Sequence, residues 1–146
     1  MTIVEQVAMA STTGDWNAMI ASVPYARFLG VTLEERADGL LGRMKFADHL
    51  VGNPTLPALH GGTLGALLEL AAQFEVMYRA QTLMLPKTIT LTIDYVRSAK
   101  PVDTFVRART VRQGRRVVTV QTWAWQDDER NPVAQATVKQ LVMGVT

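Results

Sequence analysis

One carboxylate stands alone in the most apolar stretch of this chain. From Thr63 to Phe74 the sequence reads TLGALLELAAQF, and Glu69 is its only ionisable residue. A helix apolar on every side is one that other elements wrap. A carboxylate carried into such a place is paired, protonated or employed, because burial disfavours its charged form. Just upstream lies His60-Gly61-Gly62. If this pair of glycines opens the helix, the first N–H groups have no internal acceptor and the dipole favours negative charge there. Glycines also let a substrate come close to the backbone. Exposed N–H donors for an oxyanion, with a carboxylate about two and a half turns along, are the parts of an acyl-transfer site. The neighbours of Glu69 along its own face are Gly62, Gly65, Ala66, Ala72 and Gln73, and all but Gln73 are small. Leu64, Leu67, Leu68 and Phe74 mostly fall elsewhere, so the helix has a thick side for packing and a thin side along which a ligand could lie.

The rest of the chain must position these groups. Thr2-x-x-Glu5 reads as a capping box ahead of a short helix, Ile3 to Met9. A second helix is expected from Asp15, with Trp16, Met19 and Ile20 at helical spacing, stopping before Pro24. Val31 to Glu35 and Leu40 to Phe46 read as a hairpin around Ala37-Asp38-Gly39, with Leu40, Met44 and Phe46 on one face. Val51 to Leu59, with two prolines, reads as a loop delivering the chain to the helix. After the helix Pro86 marks a stop, and strands are expected at Lys87 to Arg97, Asp103 to Arg112, Arg115 to Gln126 and Val133 to Met143. In the first of them Ile89, Leu91, Ile93 and Tyr95 alternate with Thr88, Thr90, Thr92 and Asp94, which gives one dry face to lie on the helix. The short turns between strands argue an antiparallel α+β architecture: five or six strands around one long central helix, with short N-terminal helices.

Size and composition narrow the chemistry. The 146 residues make one domain, 1–146, with no internal repeat or linker. Zero cysteines exclude a disulfide framework and thiolate catalysis, and two histidines, His49 and His60, are too few for a typical zinc cluster, so no metal is expected. The first fifteen residues lack a basic segment, and Glu5 and Gln6 interrupt the apolar run that an export signal needs, so a cytoplasmic location is expected. No run reaches membrane-spanning length. A formal charge of +2 is too small to argue for nucleic acid.

This order of elements resembles the hotdog fold, and the details resemble its phenylacetate-degradation type of acyl-CoA thioesterase. The matching pieces are Asn53-Pro54, His60-Gly61-Gly62, the acid nine places after the histidine at Glu69, Ile93-Asp94-Tyr95-Val96-Arg97, Arg112-Gln113-Gly114-Arg115 and Val133-Ala134-Gln135-Ala136. The resemblance implies that Glu69 is the catalytic carboxylate, as nucleophile or general base. It implies that the Gly61 N–H serves the thioester oxygen, that Gly62 completes the helix start and that His60 orients the turn. Thr88 would position water, and Asn53 would be the family's loop asparagine. Here Asn53 lies seven places before His60 rather than six, and Pro57-Ala58 replaces a typical Gly-Thr. The resemblance further implies a homodimer or homotetramer with each site built from two chains, and no cofactor beyond the coenzyme A of the substrate.

Taken on its residues alone, Glu69 could equally be a buried acid paired with an arginine for structure. Arg97, Lys100, Arg107, Arg109, Arg112, Arg115 and Arg116 bunch in a stretch with a single acid, Asp103. Arginine suits the phosphates of coenzyme A, with Arg97, Arg112 and Arg115 the chosen contacts and Gln73 a further substrate contact. Phe74, Met77 and Met84 fit an apolar medium-chain or aromatic acyl group. The competing readings are a non-catalytic acyl-CoA-binding module, which would show no Glu69-dependent turnover, and a nucleic-acid binder, whose affinity would fall steeply with salt. A hotdog hydratase would instead pair its acid with a nearby histidine.

Overall fold

The computed structural model describes residues 1–80 and 84–144. α1 (Ile3–Thr13) opens on the expected capping box, the Thr2 hydroxyl accepting from the Glu5 N–H and the Glu5 carboxylate from the Thr2 N–H. It runs past Met9 to Gly14, whose left-handed backbone ends it. Asp15 caps α2 (Trp16–Ala21) through the Ala18 N–H. Pro24 then begins a helix, α3 (Pro24–Leu29), which the sequence reading missed. A missing N–H costs nothing in a first turn.

β1 (Val31–Arg36) and β2 (Gly39–Met44) form the expected hairpin, with Arg36 opposite Gly39. Gly39 has a φ of 132°, a conformation that side chains disfavour. After a 3-10 turn at Asp48–Leu50, the segment expected as a loop is a small hairpin, β3 (Val51–Asn53) against β4 (Leu56–Leu59). Most of its side chains are exposed, so no alternation of apolar and polar residues announces it. α4 (Gly61–Arg79) follows, then β5 (Met84–Tyr95), β6 (Thr104–Gln113), β7 (Val117–Trp125) and β8 (Ala134–Gly144).

Six strands make one antiparallel sheet in the order β1-β2-β6-β7-β8-β5. α4 lies against one face of it and touches β2, β5, β6, β7 and β8. Leu64, Leu67 and Leu68 of the helix are buried with Val106, Val118, Val120 and Val138 of the sheet. Each aliphatic side chain so enclosed contributes about 1.5–3 kcal/mol of transfer free energy. The N-terminal helices cover one flank, where Trp16 meets Phe74 and Tyr78 edge-on at ring separations of 6.5 and 5.6 Å. This is the hotdog arrangement expected above.

β5 departs from its expected form in two places. Pro86 lies inside the strand, opposite Val142, and does not end anything. β5 has a neighbour on one side only, and an edge strand tolerates a missing N–H. Ile89 is not on the dry face. The register passes from Thr88 opposite Gln140 to Thr90 opposite Lys139, so Ile89 is the extra residue of a β-bulge and is 52% exposed. Thr88 thereby joins Leu91 and Ile93 on the side facing the helix.

Candidate active site

α4 begins at Gly61, and its cap is the imidazole of His60. The His60 Nδ1 accepts the Gly62 N–H at 2.8 Å, which places the ring proton on Nε2. The N–H of Gly61, one place earlier, has no acceptor among the described residues. What folds over the glycines leaves little room for side chains. A Cβ on Gly62 would stand 2.8 Å from His60 Nδ1, and one on Gly52 would stand 2.9 Å from His60 Cδ2. A Cβ on Gly61 would come within 3.2 Å of the Tyr95 ring, whose hydroxyl donates to the Gly61 carbonyl at 2.8 Å. Tyr95 is thus a positioning residue, a role beyond the dry face and the family-like segment in which the sequence places it. The available signal was an aromatic residue with a polar tip at the strand end nearest the glycine pair.

Glu69 is half-buried on α4 and makes no hydrogen bond or ion pair with the described residues. The enclosed acid of this helix is Glu75, 4% exposed and bonded to Arg79 at 3.0 Å. The structural pairing weighed for Glu69 therefore belongs to Glu75, one residue beyond the apolar run. Part of the thin side is already occupied, since a Cβ on Gly65 would meet Ile93 Cδ1 at 2.8 Å. Eight helical residues separate Gly61 from Glu69 by about 12 Å along the axis. A reacting carbonyl needs both groups within about 3 Å, so one chain does not bring them onto the same atom.

The remaining candidates fall in three places. Thr88 faces inward, its hydroxyl buried and without a partner among the described residues. Gln73 is half-buried one helical turn past Glu69. Asn53 closes the β3–β4 turn, its Oδ1 accepting from the Thr55 N–H at 3.0 Å and the Thr55 hydroxyl at 2.7 Å. Arg97 follows β5 at the Tyr95 end, whereas Arg112 and Arg115 lie at the β6–β7 turn, near where Val117 pairs with Leu141. From Ala134, opposite Tyr95, to Leu141 is about 23 Å of strand, so the three arginines are not one cluster within a chain. Phe74 and Met77 are core residues rather than pocket walls, and the Met84 side chain lies outside the described residues.

Other charges are committed to the scaffold. Arg107 pairs with Asp38, whose carboxyl it holds below the usual carboxylate range. Asp103 accepts from the Phe46 N–H at 2.7 Å and from Arg43 Nε at 2.9 Å. The Phe46 bond first, and then Arg43, hold its carboxyl low. Among the described residues no group of three side chains could hold a metal, and no helix is long and apolar enough to cross a membrane.

The family model of the acyl-CoA thioesterase N-terminal domain matches residues 52–140. Among solved structures, the chain is similar to a Chromobacterium violaceum protein at 29% identity and a TM-score of 0.79, over 97% of this chain and 99% of that one. It is similar to a phenylacetic acid degradation-related protein of Ralstonia eutropha JMP134 at 25% identity and a TM-score of 0.74, over 87% and 98%. A Bacillus halodurans protein solved with CoA shares the fold at 23% identity and a TM-score of 0.76, over 94% and 92%. No curated protein matches the chain. The family match runs from the β3–β4 hairpin through the glycine start of α4 and across the sheet into β8, more than half of the sequence, and the chain belongs to the acyl-CoA thioesterase family and is a thioester hydrolase.

Proposed function

We propose that this enzyme hydrolyses a medium-chain or aromatic acyl-CoA, with Glu69 as nucleophile or general base and the Gly61 N–H as oxyanion donor. The observation that carries the reading is the pair of unengaged groups on one helix: a Gly61 N–H without an acceptor and a Glu69 carboxylate without a partner among the described residues. The N–H, backed by the helix dipole, stabilises the oxygen as negative charge develops, a contribution of about 3 kcal/mol to the barrier. His60 and Gly62 set the turn that aims it, and Tyr95 holds the Gly61 carbonyl from the other side.

The 12 Å or so between Gly61 and Glu69 favours a site completed by a second copy of the chain, with Gly61 of one subunit opposite Glu69 of the other. Arg97, Arg112 and Arg115 are read as contacts for the phosphates of coenzyme A. Asn53 serves the reaction as the loop asparagine, Gln73 contacts the substrate, and Thr88 orients the water. A dimer or dimer of dimers in the cytoplasm, with no cofactor beyond the substrate's own coenzyme A, completes the reading. The likeness to the Ralstonia eutropha phenylacetic acid degradation-related protein supports an aromatic acyl group.

The test is free-thiol release from a panel of acyl-CoAs by the wild type beside Glu69→Gln. The expected result is turnover of medium-chain or aryl thioesters that falls by about a thousandfold in the variant while folding and assembly persist. Full activity in Glu69→Gln would remove it from the chemistry, and turnover confined to acetyl-CoA would overturn the acyl assignment.

A further inference from the structure

We infer that Gln140 is a catalytic residue of this hydrolysis, holding the attacking water together with Thr88; the inference rests on the reaction proposed above, with Glu69 acting as base. Gln140 is wholly buried on the inner face of β8, and neither its Nε2 nor its Oε1 has a partner among the described residues. On β8 and β7 its neighbours are apolar: Val138 and Val142 flank it along β8, and Val118 lies opposite on β7. An unpaired amide among valines is disfavoured where an apolar side chain would fit, so the position is explained by what it can bind.

Thr88 is the register partner of Gln140 on β5, so the two side chains project side by side, their Cβ atoms about 5 Å apart. The Thr88 hydroxyl is buried and unpartnered among the described residues as well. It points inward only because of the bulge at Ile89. Without that extra residue the alternation of Tyr95, Ile93 and Leu91 would put Ile89 inside and Thr88 outside. The bulge and the buried amide converge on one spot from two strands.

That spot lies on the face of the sheet that α4 covers. Gly61 rests against Tyr95 and Gly65 against Ile93. Four helical residues advance about 6 Å and two strand residues about 6.6 Å, so helix and strand keep pace. Glu69 therefore falls level with Leu91, and the Thr88–Gln140 pair about one helical turn further on, near Gln73. In the inferred arrangement one water lies between the Glu69 carboxylate and the Gln140 amide. It would receive the Gln140 Nε2–H, give one hydrogen to Gln140 Oε1 or the Thr88 hydroxyl, and give the other to Glu69. In the reaction the water oxygen bonds to the thioester carbon and its proton passes to Glu69. The C–S bond breaks with its electron pair on sulfur, which takes that proton, leaving a carboxylic acid and free coenzyme A thiol.

The experiment measures kcat, KM and melting temperature on the best acyl-CoA of the panel for the wild type, Gln140→Leu, Gln140→Met, Thr88→Val and the Thr88→Val/Gln140→Leu double variant. Expected is a fall in kcat of about tenfold or more for either Gln140 variant, KM held within about twofold, and a melting temperature kept or raised. The double variant should be little worse than its more damaging single parent, since both groups serve one water. Thr122→Val, which removes another buried unpartnered hydroxyl of the same face, should keep its kcat. Unchanged kcat in a folded Gln140→Leu or Gln140→Met would overturn the inference, and a change in KM alone would make Gln140 an acyl contact instead. Failure of the underlying reaction shows separately, as a wild type without turnover or a Glu69→Gln variant with full turnover.

Discussion

Replacing Gly62 by alanine separates what the helix start does for the fold from what it does for the reaction. The new Cβ would lie 2.8 Å from His60 Nδ1 and 2.9 Å from its Cε1, so the imidazole must swing away and release the Gly62 N–H. Losing a side-chain cap costs about 1 kcal/mol. Alanine in place of glycine returns up to about 1 kcal/mol of helix propensity. Gly62 is not among the glycines at positive φ, so alanine meets no backbone strain. The two effects nearly cancel, and the melting temperature should move by no more than about 4 °C. The turn, however, loses the ring that fixes it, and the Gly61 N–H is no longer held in its aim. Partial loss of an oxyanion donor worth about 3 kcal/mol predicts a fall in kcat of one to two orders of magnitude. Thermal unfolding and thiol release on the same preparation decide the matter. Wild-type kcat in a stable Gly62→Ala would refute the view that His60 orients the donor, and a melting temperature displaced by more than about 4 °C would refute the cancellation.

Two further outcomes follow from the same geometry. Tyr95→Phe removes the 2.8 Å bond to the Gly61 carbonyl and should lower kcat by several-fold with a stability change near 1 kcal/mol; equal activity in a folded variant would reduce Tyr95 to packing. Asp103→Ala should destabilise by about 2 kcal/mol near neutral pH, because the carboxylate serves both Phe46 N–H and Arg43. The folded-state pKa of Asp103 is depressed, so its contribution is complete above the unfolded value of about 4 and is lost as pH falls through the folded one. Urea melts at neutral and strongly acidic pH should therefore show the gap between wild type and variant closing on acidification, and a gap that stays constant would contradict the assignment.

Much of this could be read before any coordinates. The long apolar run points to α4 and alternation to most of β5, because both signals come from burial and burial here is periodic, while turn residues mark off the later strands. His60, Gly61 and Gly62 were legible for a different reason: two glycines ahead of an apolar helix weaken its start, and that cost points to a close approach to the backbone. What escaped was set by tertiary contacts rather than by pattern. The bulge at Ile89 leaves no mark in a sequence that alternates without a break, since it is the pairing with β8 that skips a residue. Pro86 read as a terminator because nothing local says that β5 is an edge. Gln140 looked like one polar residue among Lys139 and Gln135, and only its burial distinguishes it. Arg97, Arg112 and Arg115 were grouped by closeness in sequence, which the antiparallel strands convert into distance in space.

The strand order carries a consequence for how the chain reaches its folded state. β5 has one neighbour in the sheet, and that neighbour is β8, with Tyr95 paired to Ala134 and Leu85 to Met143. During synthesis α4 and β5 emerge well before β8, so a largely apolar helix and an unpaired strand must wait while β6, β7 and the turns between them are made. Contacts closed across so many intervening residues form slowly. Until β8 is made, β5 has no strand of the sheet to pair with, and an unpaired strand edge beside apolar surface favours aggregation.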